Sequence, residues 1–187
     1  MQQIKIELRP VNRSDVKNIL SWLGDDDVVE SWFGRYTYGD PAHLGYHPEE
    51  ALEKSDEDWN TIFQDPEHIM LSIYNDEGLH VGESHVAVEE SLGDGQISIL
   101  IGKKQWWDHG YGSQALQETM KICFETVGLF RIWADIPEYN TRARHVIANL
   151  GFVHEGTFRK SRPQAGTRHD SIDMGMLSTE YSDKFQR

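Results

Sequence analysis

At 187 residues, 38% of them hydrophobic and 26% charged, the chain has the bulk of one globular domain and not the make-up of a disordered segment. A formal net charge of −13 argues against a nucleic-acid binder, whose grip on phosphates comes from Lys and Arg, and suits a cationic partner. No apolar run nears the roughly 20 residues of a membrane helix. The N-terminus shows no basic-then-apolar leader, and the lone Cys123 cannot form an internal disulfide, so a cytoplasmic protein without membrane contact is expected.

In chain order, Ile4-Lys5-Ile6-Glu7-Leu8 alternates as a half-buried strand that Pro10 breaks. Ser14 reads as the N-cap of a helix carrying Val16, Ile19, Leu20 and Leu23, stopped by Gly24. Residues 25–47 are rich in Asp, Gly and aromatics and read as a loop with short helical turns, and Pro48 suits the first position of a second helix. Three strands follow, Ile69 to Tyr74, Val81 to Val88 and Gln96 to Ile101, with turns at Asn75–Gly78 and Ser91–Gly95. Leu116, Met120, Cys123, Phe124 and Val127 recur at helical spacing, with Gly128 as the stop. Phe130, Ile132, Ala134 and Ile136 alternate as a strand closed by Pro137. Asn140 caps a helix with Ala143, Val146, Ile147 and Leu150 on one face and Gly151 after its end. Phe152 to Arg159 and Ser171 to Leu177 complete a mixed α/β domain around a single sheet.

The stretch from Ile99 through Gly102, Trp106, Trp107, Asp108, His109, Gly110, Tyr111 and Gly112 to Ser113 takes a buried strand through a glycine-containing loop straight into an amphipathic helix. A helix start has unpaired N–H groups and a partial positive charge, so it attracts an anion. Gly110 and Gly112, lacking Cβ atoms, would let a phosphate reach the backbone. A Gly-x-Gly alone also fits a tight strand-to-helix turn. Neither Gly-x-Gly-x-x-Gly nor a Walker loop is present here.

This loop resembles that of the GNAT superfamily of N-acetyltransferases, which holds the coenzyme A pyrophosphate at Arg/Gln-x-x-Gly-x-Gly/Ala after a fourth strand. The chain is similar to a bacterial branch that includes ribosomal-protein N-terminal, diamine and spermidine, and aminoglycoside acetyltransferases. The match continues through Phe130-Arg131-Ile132, Asn140-Thr141-Arg142-Ala143, Leu150-Gly151-Phe152 and Glu155-Gly156 to Asp170 and Met174. The departures are Trp107 at a frequent Arg or Gln, Asp108 at a Gly, and His109 at a basic residue. Ile147 stands at a Tyr that often protonates the leaving thiolate, followed by Ala148 and Asn149 in place of Glu-Lys.

The resemblance implies one GNAT domain over residues 1–187: an α/β (α+β) fold with a mixed, largely antiparallel sheet of six or seven strands, about four helices, and a splay between the fourth and fifth strands. It implies acetyl-coenzyme A as co-substrate with no metal, and an amine acceptor: a polyamine, an amino sugar or a protein N-terminus. By the same resemblance, Leu100, Ile101 and Gly102 meet the pantetheine arm. Trp107, Asp108, His109, Gly110, Tyr111, Gly112 and Ser113 meet the pyrophosphate, with the Asp108 side chain turned to solvent, and Asn140 contacts the arm beyond the splay.

Glu83 and His85 share a strand face by alternation and are the candidates to take the amine proton, with Ser98 a weaker third. Asp26, Glu30, Trp32, Phe33 and Tyr36 are expected to shape the acceptor side, where the Val28–Gly34 run is similar to aminoglycoside acetyltransferases. A homodimer stays open. So does a non-catalytic acyl-coenzyme A-binding module on the same fold, because Ile147 removes the usual acid.

Overall fold

The computed structural model describes residues 4–31 and 47–186. Seven strands build one sheet: β1 (Ile6–Pro10), β2 (His68–Asn75), β3 (His80–Glu89), β4 (Asp94–Ile101), β5 (Arg131–Pro137), β6 (Val153–Gln164) and β7 (Thr167–Leu177). Their order is β1-β2-β3-β4-β5-β7-β6, with every neighbouring pair antiparallel except β4 and β5. The helices are α1 (Arg13–Leu23), α2 (Asp26–Ser31), α3 (Pro48–Glu53), α4 (Asp56–Ile62), α5 (Tyr111–Lys121), α6 (Thr141–Leu150) and α7 (Ser178–Phe185). This is the expected mixed, largely antiparallel fold. Among the described residues it has seven helices where about four were expected. The extra ones, α2, α4 and α7, are short, six to eight residues each, too few to print a clear hydrophobic period.

Each face of the sheet is covered. Ile97, Ile99, Ile132, Ala134 and Ile136 pack with Leu116, Met120 and Cys123 of α5 and its continuation and with Ile147 and Leu150 of α6. On the other face, Met70 and Leu100 pack with Val16, Ile19 and Trp22 of α1, Val28 of α2 and Ala51 of α3. Strand β4 is therefore buried on both sides, which is why it reads as a continuous apolar run.

The expected splay between the fourth and fifth strands is visible in the register. The parallel β4–β5 ladder holds only Asp94↔Arg131, Gly95↔Ile132 and Gln96↔Trp133. Beyond Gln96 the two strands part, and a gap opens toward their C-terminal ends.

Several local expectations change. The cap of α1 is Asn12, not Ser14: its side chain accepts from the amides of Ser14 and Asp15, while Asp15 accepts from the Asn12 amide in return. Pro10 does not break β1 but ends it, opposite Leu71, on an edge strand where a missing N–H costs little. After Lys121 the chain underwinds into a wider, π-helical stretch, Ile122–Val127. This turns Val127 off the buried stripe, leaving it 43% exposed, and Phe130 precedes β5 and is likewise exposed. Helix α7 was not anticipated. It docks through buried Tyr181, whose ring stacks on Phe124 at 4.7 Å and whose hydroxyl donates to Glu125.

Candidate active site

Helix α5 starts at the mouth of the β4–β5 gap. Gly110 is its N-cap with φ of +89°, a left-handed turn that glycine takes without cost, and no side chain caps the first turn. The first intrahelical bond runs from the Gln114 amide to the Gly110 carbonyl at 3.0 Å. The amides of Tyr111, Gly112 and Ser113 thus keep the orphan-donor character that suits an anion. A cleft open to solvent lies over them, bounded by Ile99 and Ile101 of β4, the 110–113 turn, and Asn140, Ala143 and Val146 of α6.

Backbone alternation decides which β4 residues serve this cleft. The Gly102 amide donates to the Val81 carbonyl at 2.9 Å, so that pair bonds across β3 and β4. In an antiparallel ladder the pairing alternates, which turns Leu100 toward β3 as well and leaves Ile99 and Ile101 facing the gap. The Ile101 carbonyl indeed points outward and accepts from the Trp107 indole at 3.0 Å. Of the three residues expected there, Ile101 faces the gap, Leu100 and Gly102 turn to β3, and Ile99 faces the gap as well. The Leu100 side chain packs on the α1 side, and any Cβ at position 102 would fall within 2.0 Å of Trp22. His109 is exposed and outside the cleft lining. Asp108, exposed as expected, is held by Arg142, which the sequence reading had not singled out.

Asn140 has a double duty inside the protein. Its Oδ1 caps α6 by accepting from Ala143 at 3.1 Å, and its Nδ2 donates to the Ser31 carbonyl at 2.7 Å. It thereby ties α2 to α6 at the edge of the cleft. Ile147, aliphatic where a Tyr was the family expectation, is fully buried among core residues.

The opposite face of the sheet, toward α1 to α4, is polar at the gap. Glu83 and His85 do share it, opposite Leu100 and Ser98 in the β3–β4 register. All three candidates are deeply buried: Glu83 is 1% exposed, His85 4% and Ser98 4%. His85 Nε2 lies 2.9 Å from Nδ1 of half-buried His68, with the rings stacked. Across the gap, on the same face as Trp133, stands Asp135 of β5. It is 5% exposed, and its Oδ2 accepts from Arg162 at 2.5 Å, while Oδ1 makes no hydrogen bond among the described residues. Burial pushes its carboxyl above the usual range, against the pull of Arg162. Nothing local in the sequence marks Asp135, because the partner that holds it lies 27 residues away on another strand.

On the acceptor side, Asp26 is exposed and Glu30 accepts from the Tyr139 hydroxyl at 2.8 Å. Asp25 and Asp27 are both paired to Lys104, which draws the Asp25 carboxyl down by hydrogen bonding. Trp32, Phe33 and Tyr36 lie outside the described residues.

A family model described as an acetyltransferase (GNAT) domain matches residues 5–153, most of the chain. The chain belongs to the GNAT family. Among its relatives, the uncharacterized N-acetyltransferase p20 of Bacillus licheniformis is 26% identical over 95 residues, 51% of this chain and 53% of that protein. The uncharacterized N-acetyltransferase YoaA of Bacillus subtilis is 29% identical over 65 residues, 35% of this chain and 37% of its own length. The matches thus span about half or less of those relatives. The fold is also that of Vibrio cholerae spermidine N-acetyltransferase in complex with CoA and spermine, with a TM-score of 0.78, 19% identity, and 94% and 97% of the two chains covered. A dodecameric form of that Vibrio enzyme, 17% identical, aligns with a TM-score of 0.76 over 96% of this chain and 98% of its own.

Proposed function

We propose that this GNAT protein transfers the acetyl group of acetyl-coenzyme A to a primary amine by direct attack at the β4–β5 gap. The observation that carries the reading is the meeting of an uncapped helix start with β4 backbone that, beyond Gln96, has no strand partner on the β5 side. The Tyr111, Gly112 and Ser113 amides bind the pyrophosphate, and the peptide groups of Ile99 and Ile101 orient the pantetheine arm. The bound co-substrate supplies an activated acyl carbonyl and a thiol leaving group.

The chain's own residues must then position the amine and take its proton. Asp135, Glu83 and His85 face the acceptor side. Asp135 suits the task because burial raises its carboxyl and makes it a better base, while Arg162 fixes its orientation. The buried acids on this face favour an amine that arrives as a cation. Together with the fold shared with a spermidine enzyme, they support a polyamine ahead of an amino sugar or a protein N-terminus. The chain acts as one domain, and its lone buried Cys123, whose thiol burial pushes up to about 12, suits the reducing cytoplasm.

One observation favours a second reading, a non-catalytic acyl-coenzyme A-binding module: buried Ile147 offers no proton to a leaving thiolate. Thiol release from acetyl-coenzyme A against a panel of polyamines, amino sugars and N-terminal peptides separates the two. Turnover with any amine supports the enzyme. Tight cofactor binding with no thiol release across the panel supports the binding module.

A further inference from the structure

The loop that enters α5 carries a carboxylate where phosphates are to bind. Asp108 has φ of +61°, a conformation that few residues with a side chain adopt, although Asp and Asn tolerate it. In that conformation both of its oxygens meet Arg142, at 2.8 Å from Nε and 3.1 Å from Nη2. Arg142 belongs to the first turn of α6, and its guanidinium lies 4.7 Å over the Trp107 ring. That ring is itself anchored to the Ile101 carbonyl. The guanidinium is thus held between an indole and a carboxylate beside the first turn of α5, in the same cleft wall.

A guanidinium fork that matches a carboxylate also matches a phosphate. The present pairing is weak, because the two side chains are 47% and 69% exposed and water screens them. The pyrophosphate brought close by the α5 amides carries two negative charges over its two phosphates to the one on Asp108, and it competes for the same fork.

We infer that Asp108 is an intramolecular placeholder. Its carboxylate holds Arg142 at the cleft mouth and yields it to a phosphate of the cofactor. Arg142 is then a phosphate-binding residue, and Asp108 is a built-in competitor that weakens cofactor binding and eases release of the product. This rests on the α5 start being the cofactor site.

Calorimetric titration of the whole protein tests it, using acetyl-coenzyme A and acetyl-pantetheine, which lacks the pyrophosphate and nucleotide. The proteins are wild type, Asp108→Asn, Asp108→Gly, Arg142→Ala and the Asp108→Asn/Arg142→Ala double variant. Asn tolerates the left-handed backbone and Gly relieves it, so neither should unfold the loop. Both Asp108 variants should bind acetyl-coenzyme A about three- to tenfold more tightly. Arg142→Ala should bind about tenfold more weakly, and the double variant should lose the gain. Acetyl-pantetheine affinity should not change. Equal or weaker acetyl-coenzyme A binding by both Asp108 variants would overturn the inference and make the pair a brace that stays closed. Unchanged affinity in Arg142→Ala would overturn it too. No acetyl-coenzyme A binding by the wild type would instead remove the cofactor site itself, and the placeholder with it.

Discussion

A side chain at position 112 would leave the first turn of α5 with only Ile101 Cγ1 nearby, 3.7 Å from its Cβ, and with no left-handed strain. Position 110 differs, since its φ of +89° makes any larger residue strained and a Cβ there would crowd Ile4 at 3.1 Å. Gly112→Val is therefore the clean way to block the anion site. It should weaken acetyl-coenzyme A binding at least about tenfold with little change in melting temperature, read by titration beside a thermal melt. The proton acceptor is tested by Asp135→Asn, Glu83→Gln and His85→Ala. If Asp135 takes the proton, its Asn variant should lower kcat by about 10²-fold with cofactor affinity kept. The sign with pH follows from its raised carboxyl. Below that value Asp135 is already protonated, so wild-type kcat falls as pH drops through it, and the variant should lose this acid limb. Wild-type kcat in Asp135→Asn would hand the role to Glu83 or His85.

At the scale of elements, α1 is locked to the sheet by a buried polar group of side chains. Asp15 accepts from Ser72 at 2.8 Å and from Tyr74, and lies 3.5 Å from His80 Nδ1, while His80 Nε2 is 2.8 Å from the Gly82 carbonyl. Burial lowers the His80 pKa, with Asp15 opposing. The unfolded chain, titrating near about 6.5, then binds more protons than the folded one just below that pH. The stability contributed by neutral His80 is complete above about 6.5 and is lost as pH falls toward the folded value. Melting temperature should drop on acidification through this window, and His80→Gln should flatten that part of the profile. A wild-type slope in His80→Gln would assign the loss to other groups.

Much of this architecture was legible because its signals are local. The Ile97–Ile101 run, the Gly110 turn and the amphipathic α5 stand together in sequence, as do Asn140 and the stripe of α6. The Asn12 cap was local too, an Asn-x-x-Asp box just ahead of Ser14, whereas the π-helical shift at Val127 and the Asp135–Arg162 pair depend on backbone winding or on strands brought together by topology. No period in the sequence encodes them. That Ile99 faces the gap while Leu100 and Gly102 turn to β3 follows from which β4 amides β3 takes, a pairing no single strand carries in its own sequence.

For the whole molecule, the net charge of −13 should raise the encounter rate with a cationic amine. Rising salt should then lower kcat/KM, as screening shortens to about 8 Å near physiological ionic strength. Asp25 and Asp27 are paired to Lys104, so Asp26 is the acid of that cluster to reverse. Asp26→Lys should lower kcat/KM more than kcat, and a salt-independent rate with an unaffected variant would reduce the acidic surface to solvation. The central claim, acetyl transfer at the α5 start, is tested most directly by following a deuterated acetyl group from acetyl-coenzyme A into the amine by mass spectrometry. The account predicts a labelled amide that accumulates in step with thiol release and is strongly suppressed in Gly112→Val. Thiol release without labelled amide, or equal transfer by the Gly112→Val protein, would contradict it.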